Sequence, residues 1–193
     1  MSTNKEKILE AASVLFLSGG TGALSVRAIA RAAGVSTIGI YSHFEGKQGI
    51  LDALYIEGFE KVDEAMTVAT DGVAPRDVVA RAASNYLDLA QSNRAHYRLI
   101  FGESDASYEP SDKAKSAGIT AFEKLTGGTA GLLPSDATQA EKQTAALQVW
   151  SLMHGAVSLR HHGVAELVDM RDWRENTLKA VMLLIDGIVG ASA

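Results

Sequence analysis

The chain has no cysteine among its 193 residues. Disulfide frameworks, thiolate zinc sites and cysteine nucleophiles are therefore excluded together. It has no run of about eighteen apolar residues, so no membrane-spanning helix is expected. The opening Met1-Ser2-Thr3-Asn4-Lys5-Glu6-Lys7 leads straight into an amphipathic pattern with no apolar signal core; secretion is not expected and a cytoplasmic location is. Period-two alternation rich in β-branched residues is almost missing, which argues against a sheet. The sequence contains no Gly-rich phosphate loop, no nucleophile elbow and no distinctively placed pair of carboxylates, so neither an enzyme nor a cofactor is expected. Basic charge is also in deficit: 18 Lys and Arg stand against 23 Asp and Glu, a net of −5.

A net negative chain is a poor partner for nucleic acid unless its charge is unevenly spread. Here it is uneven. Residues 1–50 carry Lys5, Lys7, Arg27, Arg31 and Lys47 against Glu6, Glu10 and Glu45, a local net of +2. The rest of the chain sums to −7. So mild an excess implies weak DNA binding by one copy and a need for a second.

What is present is helical periodicity in a chain of ordinary globular composition, 47% hydrophobic and 21% charged. The expected class is all-α, with about nine helices: a three-helix N-terminal domain over 1–48 and a helical bundle over 49–193. Thr3 and Glu6 read as a capping box opening a helix over 4–18, with Ile8, Leu9, Ala12, Leu15 and Phe16 on one stripe and Gly19-Gly20 as its stop. Ser25 should cap a short second helix ending at Gly34, and Ser36 a third running to about Phe44. A long fourth helix is expected over 47–70, with Gly49 and Gly58 as places where it could bend. Further helices are expected over 75–91, 93–101, 111–125, 137–161 and 172–189. Residues 102–110 and the glycine-containing stretch 127–135 read as loops.

The two short helices around Gly34-Val35-Ser36 carry the functional signal. A glycine can take the left-handed state a sharp turn needs. Ala28, Ala30, Ala32 and Ala33 let helices approach closely. That is the recipe for a helix-turn-helix, whose second helix enters the major groove by its N-terminal end. Tyr41 and Phe44, taken alone, could equally be core.

The stretch Ser25-Val26-Arg27-Ala28-Ile29-Ala30-Arg31-Ala32-Ala33-Gly34-Val35-Ser36 resembles the second helix and turn of the tetracycline-repressor family. Ile40-Tyr41-Ser42-His43-Phe44-Glu45-Gly46-Lys47 resembles its recognition helix and the start of its fourth helix, and Ala11-Ala12-x-x-Leu15-Phe16 with Gly19-Gly20 its first. The match covers residues 5–55. It implies that Tyr41 and Lys47 hold phosphates, with His43 near the backbone, while Arg27, Ser36, Thr37, Gly39 and Ser42 face the groove; Ser25 counts among the DNA-binding positions as well. It also implies Ile40 and Phe44 in the core. The pattern departs from the family at Ile38, where a small residue or Pro is usual, and at Gly39, where a small polar residue is. Gly39 cannot read a base, and Ile38 can only touch a thymine methyl.

Trp150-Ser151-Leu152-Met153-His154-Gly155 resembles the Trp-x-x-x-His-Gly motif in the C-terminal domain of one branch of that family. The resemblance implies a homodimer built on the last two helices, and the wide apolar arcs containing Leu147, Val157, Val181, Leu184, Ile185 and Ile188 suit it. It implies a small-molecule effector, largely apolar, in a cavity for which Tyr86, Tyr97, Phe101, Phe122, Trp150, Met153 and His154 are the candidate lining. The same side chains could be plain core. His154, His161, His162 and Glu166 are close in sequence, yet adjacent histidines point to different helix faces, so no metal is expected. The leading expectation is a ligand-responsive repressor, or less often an activator, on a palindromic operator. The alternatives are a small helical enzyme or a binding protein using the C-terminal cavity, and a helical scaffold.

Overall fold

The computed structural model describes residues 3–101 and 108–191. The expected loop over 102–110 falls largely on Gly102–Ser107, outside the described residues; Tyr108–Pro110 form neither helix nor strand. The described residues form nine α-helices and two short 3-10 helices, with no strand. The helices are α1 (Asn4–Gly19), α2 (Val26–Ala33), α3 (Thr37–Tyr41), α4 (Gly46–Met66), α5 (Pro75–Ser92), α6 (Arg94–Ile100), α7 (Asp112–Ala130), α8 (Gln139–His161) and α9 (Trp173–Ala191). They build two compact units, one of Met1–Lys61 with Asn93–Ile119 and one of Val62–Ser92 with Thr120–Ala193.

The first unit forms around the stripe expected of α1. Ile8, Ala12 and Phe16 are buried with Ile29, Ile40, Ile50, Leu51 and Leu54. The capping box is made: the Thr3 hydroxyl accepts from the Glu6 amide, and the Glu6 carboxylate accepts from the Thr3 amide at 2.9 Å. A 3-10 turn over Gly20–Ala23 follows α1. Helix α6 packs on α1, with the Arg98 guanidinium 5.7 Å from the centre of the Phe16 ring. It also crosses α4 closely at Gly58, where an added Cβ would lie 2.6 Å from Ile100 Cγ2. Gly58 is therefore a close-packing site rather than the hinge it suggests in the sequence.

The second unit packs α5, α8 and α9 together. Two forked arginine pairs set α5 antiparallel to α9. Arg76, at the start of α5, holds Asp186 near the end of α9 through bonds of 2.6 and 3.0 Å. Arg174, at the start of α9, holds Asp88 near the end of α5 through bonds of 2.8 and 2.7 Å. Paired planar forks fix direction and register; exposed to water, they add little to stability.

Helices α3 and α4 end at Tyr41 and Met66, short of the expected Phe44 and residue 70, and two further boundaries differ for visible physical reasons. Helix α7 continues through Gly127 and Gly128 to Ala130, where a loop is expected. The buried Thr126 and Thr129 turn their hydroxyls onto the carbonyls of Phe122 and Leu125, and Leu132 is buried just beyond. Tertiary packing here outweighs the cost of two helical glycines, about 1 kcal/mol each. Helix α8 opens at Gln139 under a second capping box, Thr138 with Glu141. The Thr-x-x-Glu spacing is legible in the sequence, and the expected start at Ala137 overlooks it.

Candidate nucleic-acid interface and effector cavity

The turn between α2 and α3 is held by backbone and caps. Gly34 sits at φ 67°, ψ 33°, and the Val35 amide donates back to the Ala30 carbonyl at 3.0 Å, closing α2 in a Schellman arrangement. Ser25 caps α2 by accepting from the Ala28 amide at 3.1 Å, and Ser36 caps α3 by accepting from the Gly39 amide at 3.0 Å. Each hydroxyl keeps its proton to donate elsewhere. Ser42 differs: its hydroxyl donates to the Gly39 carbonyl at 2.8 Å, so toward a base it is left to accept and it offers a phosphate no proton.

Helix α3 separates its faces sharply. Ile40 is fully buried and Phe44 nearly so, whereas Tyr41 is 63% and Ile38 79% exposed. Arg27, Arg31, Ser36, Thr37, Ser42 and His43 are exposed too, and Gly39 is partly covered. The core alternative thus holds for Phe44 and fails for Tyr41. Gly46 starts α4 at φ 75°, and an added Cβ would sit 3.4 Å from the Tyr41 ring. Lys47 is half-buried, and its ammonium donates to the Thr21 carbonyl at 2.6 Å. An ammonium has three protons, so one serves the 3-10 turn and two remain for an outside acceptor.

One feature of this unit has no signal in the sequence. Asp52, one turn past Gln48 on α4, accepts from the Tyr108 hydroxyl at 2.9 Å and from the Ser111 amide at 3.2 Å. Gln48 donates to the Glu109 carbonyl at 2.8 Å. The start of α7 is thereby tied to the first turns of α4. Burial, and then the bond to Asp52, push the Tyr108 phenol far above its ordinary range, so it stays a neutral donor. Such a pairing spans 56 residues and no local pattern announces it.

The aromatic side chains expected to line one cavity fall into two groups. Tyr97 and Phe101 belong to the first unit, 4.7 Å apart between ring centres, with Phe101 set edge-on to Phe59. In the second unit the Trp150 indole donates to the Tyr86 hydroxyl at 3.2 Å, with Phe122 and His154 about the same indole. Tyr86 is 1% exposed and fills core. A small cavity of about 30 Å³ does lie in this unit, bounded by Met66 of α4, Val79 and Ala83 of α5, Lys124 and Gly128 of α7, and Met153 of α8. Of the seven expected lining residues, Met153 alone borders it.

The expected dimer residues also separate. Val157, Val181 and Ile185 are at most 1% exposed and belong to the core of their own unit, leaving no area for a partner to cover. Leu147 is exposed, as are Leu183 and Val189, and Leu184 and Ile188 are half-buried. Leu183, Leu184, Gly187 and Ile188 border an open groove of about 660 Å³ alongside Leu133 and Pro134. Among the described residues, no cluster of three or more His, Asp or Glu could hold a metal ion, and no helix is long and apolar enough to cross a membrane.

A glycine-pinned helix-turn-helix with a polar, partly basic outer face, joined to a helical unit, defines a DNA-binding regulator. The family model for bacterial regulatory proteins of the tetR family matches residues 8–54, and that for the tetracyclin repressor-like C-terminal domain matches residues 79–181. The chain belongs to the TetR family of transcriptional regulators; it is not an enzyme. It is 28% identical over 97 residues to the probable HTH-type transcriptional regulator YttP of Bacillus subtilis, a match spanning 50% of this chain and 47%, about half, of that relative. It is 25% identical over 170 residues to the uncharacterized HTH-type transcriptional regulator Rv0681 of Mycobacterium tuberculosis, spanning 86% of this chain and 74% of that one. Among solved structures, the fold is shared with a protein from Rhodococcus sp. RHA1 (TM-score 0.76, 24% identity, 97% and 96% of the two chains). It is shared also with the TetR family transcriptional regulator PfmR of Thermus thermophilus (TM-score 0.68, 20% identity, 93% and 97%).

Proposed function

We propose that this chain is a ligand-responsive repressor that binds a near-palindromic operator as a homodimer, with residues 1–48 as its DNA-reading part. The observation that carries the proposal is the outer face of α2 and α3: Arg27, Ser36, Thr37, Ile38 and Tyr41 all exposed about a turn fixed by Gly34. Tyr41 and Lys47 contact phosphate, joined by the hydroxyl proton of Ser25 and by His43. Arg27, Ser36, Thr37 and Ser42 face base edges, with Ser42 accepting from a base amine. Ile38 rests on a thymine methyl. A local charge of only +2 favours two copies, which double the phosphate contacts. The second copy packs on α8 and α9 through Leu147, Leu184 and Ile188, joined by Leu183 and Val189. Two recognition helices reading successive major-groove turns then lie about 34–36 Å apart. A ligand that releases the DNA binds the released arrangement better, since equal affinity for both shifts nothing.

Selection of genomic fragments by the purified protein tests this directly. The expected product is a short inverted repeat. On it, Lys47→Ala lowers affinity for operator and random DNA alike and flattens the salt slope by about one unit per subunit. Arg27→Ala instead changes the selected sequence. Failure to enrich any sequence, at low as well as moderate salt, would overturn the proposal.

A further inference from the structure

The first turn of α4 is a weak platform for a phosphate contact. It reads Gly46-Lys47-Gln48-Gly49, and glycine is the poorest helix former after proline. Neither glycine has a side chain to pack, although Ile50 and Leu51 just beyond are buried. The other two side chains of the turn are tied to distant parts of the same unit. Lys47 donates to the Thr21 carbonyl at 2.6 Å, and Gln48 to the Glu109 carbonyl at 2.8 Å.

Asp52 secures the second tie. Its Oδ1 accepts from the Tyr108 hydroxyl at 2.9 Å, from the Ser111 amide at 3.2 Å and from the Gln48 side chain at 3.4 Å. Tyr108 is buried in the same core as Ile50, Leu51 and Leu54. Asp52 lies five residues past Lys47, about 7.5 Å along the helix axis. That is within the roughly 10 Å reach of a charge at moderate salt. On charge alone, a carboxylate there repels DNA and removing it tightens binding. Its hydrogen bonds act in the opposite sense, because they hold Glu109 where Gln48 reaches it.

We propose that Asp52 is a positioning residue for phosphate binding: by gripping Tyr108 and Ser111 it braces the first turn of α4 through Gln48 and so holds Lys47 toward DNA. The role needs the oxygen and not the charge, since all three bonds end on Oδ1. Asparagine retains that oxygen and alanine does not, so the two substitutions remove the same charge and differ in the brace. This deepens the proposed phosphate contact of Lys47 and rests on it.

The test measures binding of the full chain to short random-sequence DNA duplexes by fluorescence anisotropy, at about 0.1 M salt. Asp52→Asn should bind as tightly as the wild type or more tightly. Asp52→Ala should weaken binding about three- to tenfold, up to the whole of one phosphate contact. Tyr108→Phe, which keeps its ring in the core, should weaken it at least about twofold in the same direction. Both losses should vanish when Lys47→Ala is already present, which a general loss of structure would not do. Circular dichroism checks that each variant folds, and Tyr108→Phe carries the test if Asp52→Ala does not. Equal affinity of Asp52→Asn and Asp52→Ala, wild-type affinity in Tyr108→Phe, or losses undiminished by Lys47→Ala would each overturn the proposal. If Lys47→Ala alone leaves affinity unchanged, the phosphate reading of Lys47 falls and the positioning role with it. If Lys47→Ala weakens binding and Asp52→Ala does not, the positioning role alone falls.

Discussion

At the residue scale, single atoms decide what several positions can do. Gly39 presents only hydrogen at the tip of α3, yet a Cβ there would meet nothing closer than the Ser36 hydroxyl at 3.4 Å, an ordinary contact. Gly39→Ser should therefore fold with unchanged melting temperature and add a donor and acceptor to the DNA-facing surface, and the selected operator should change at one or two base pairs. Gly58 is the opposite case. Its absent Cβ would lie 2.6 Å from Ile100 Cγ2, so Gly58→Ala should destabilise by about 1–2 kcal/mol, the overpacking cost less a helix-propensity gain. Adding Ile100→Ala should cost less than it does in the wild type, because it removes the clashing methyl; strict additivity in urea melts would refute this. His96, beside Gly58 in the same crossing, has its Nε2 buried without a hydrogen-bond partner and 3.6 Å from Glu57. Burial lowers its affinity for a proton below the ordinary value near 6.5, an effect that Glu57 only partly opposes. Below that pH the unfolded chain takes up a proton that the folded chain resists, so stability falls as pH drops from 6.5 toward the folded value and levels off beneath it. His96→Gln should flatten that limb relative to wild type.

At the element scale, what could be read from the sequence was what neighbouring residues decide among themselves. The Thr3–Glu6 capping box, the Ser25 and Ser36 caps and the Gly34 stop are all set within four residues, and the structure has each of them. The outward Tyr41 and inward Ile40 follow from the resemblance and are also met. Distant partners decided the rest. Nothing near Gly127 and Gly128 announces that buried Thr126 and Thr129 will carry α7 past them. Nothing near Asp52 announces Tyr108. The aromatic residues were legible as buried but not as belonging to separate units, since burial and cavity lining call for the same residue types. Because α7 holds Gly127 in helix with open space at its Cβ, Gly127→Ala should raise stability by about 0.5–1 kcal/mol. That corresponds to roughly 2–4 °C in melting temperature for a chain of this size. A lower melting temperature would mean that Gly127 is not helical in solution.

At the scale of the whole molecule, the acidic excess beyond residue 50 would keep DNA to the N-terminal part of the chain, and the glycines of α8 and α9 bear on the proposed dimer. Gly155 lies inside α8 and Gly187 inside α9, each costing about 1 kcal/mol against alanine. Neither is explained within the chain: an added Cβ at either would find no atom within 4 Å. The dimer proposed above would supply a reason, because a residue without a side chain lets two helix backbones approach. The two arrangements predict opposite signs. If the chain is monomeric, Gly155→Ala and Gly187→Ala each stabilise it, and melting does not depend on protein concentration. In the dimer proposed here, melting temperature rises with concentration, and Gly187→Leu, next to the exposed Leu183, blocks the approach while leaving the single chain able to fold. Sedimentation should then show the wild type as a dimer at micromolar concentration and Gly187→Leu as a folded monomer with unchanged helical circular dichroism. The monomer should bind a half-site with the salt dependence of one subunit and lose its preference for the inverted repeat. A Gly187→Leu variant that remains dimeric and retains the full repeat would remove α9 from the interface.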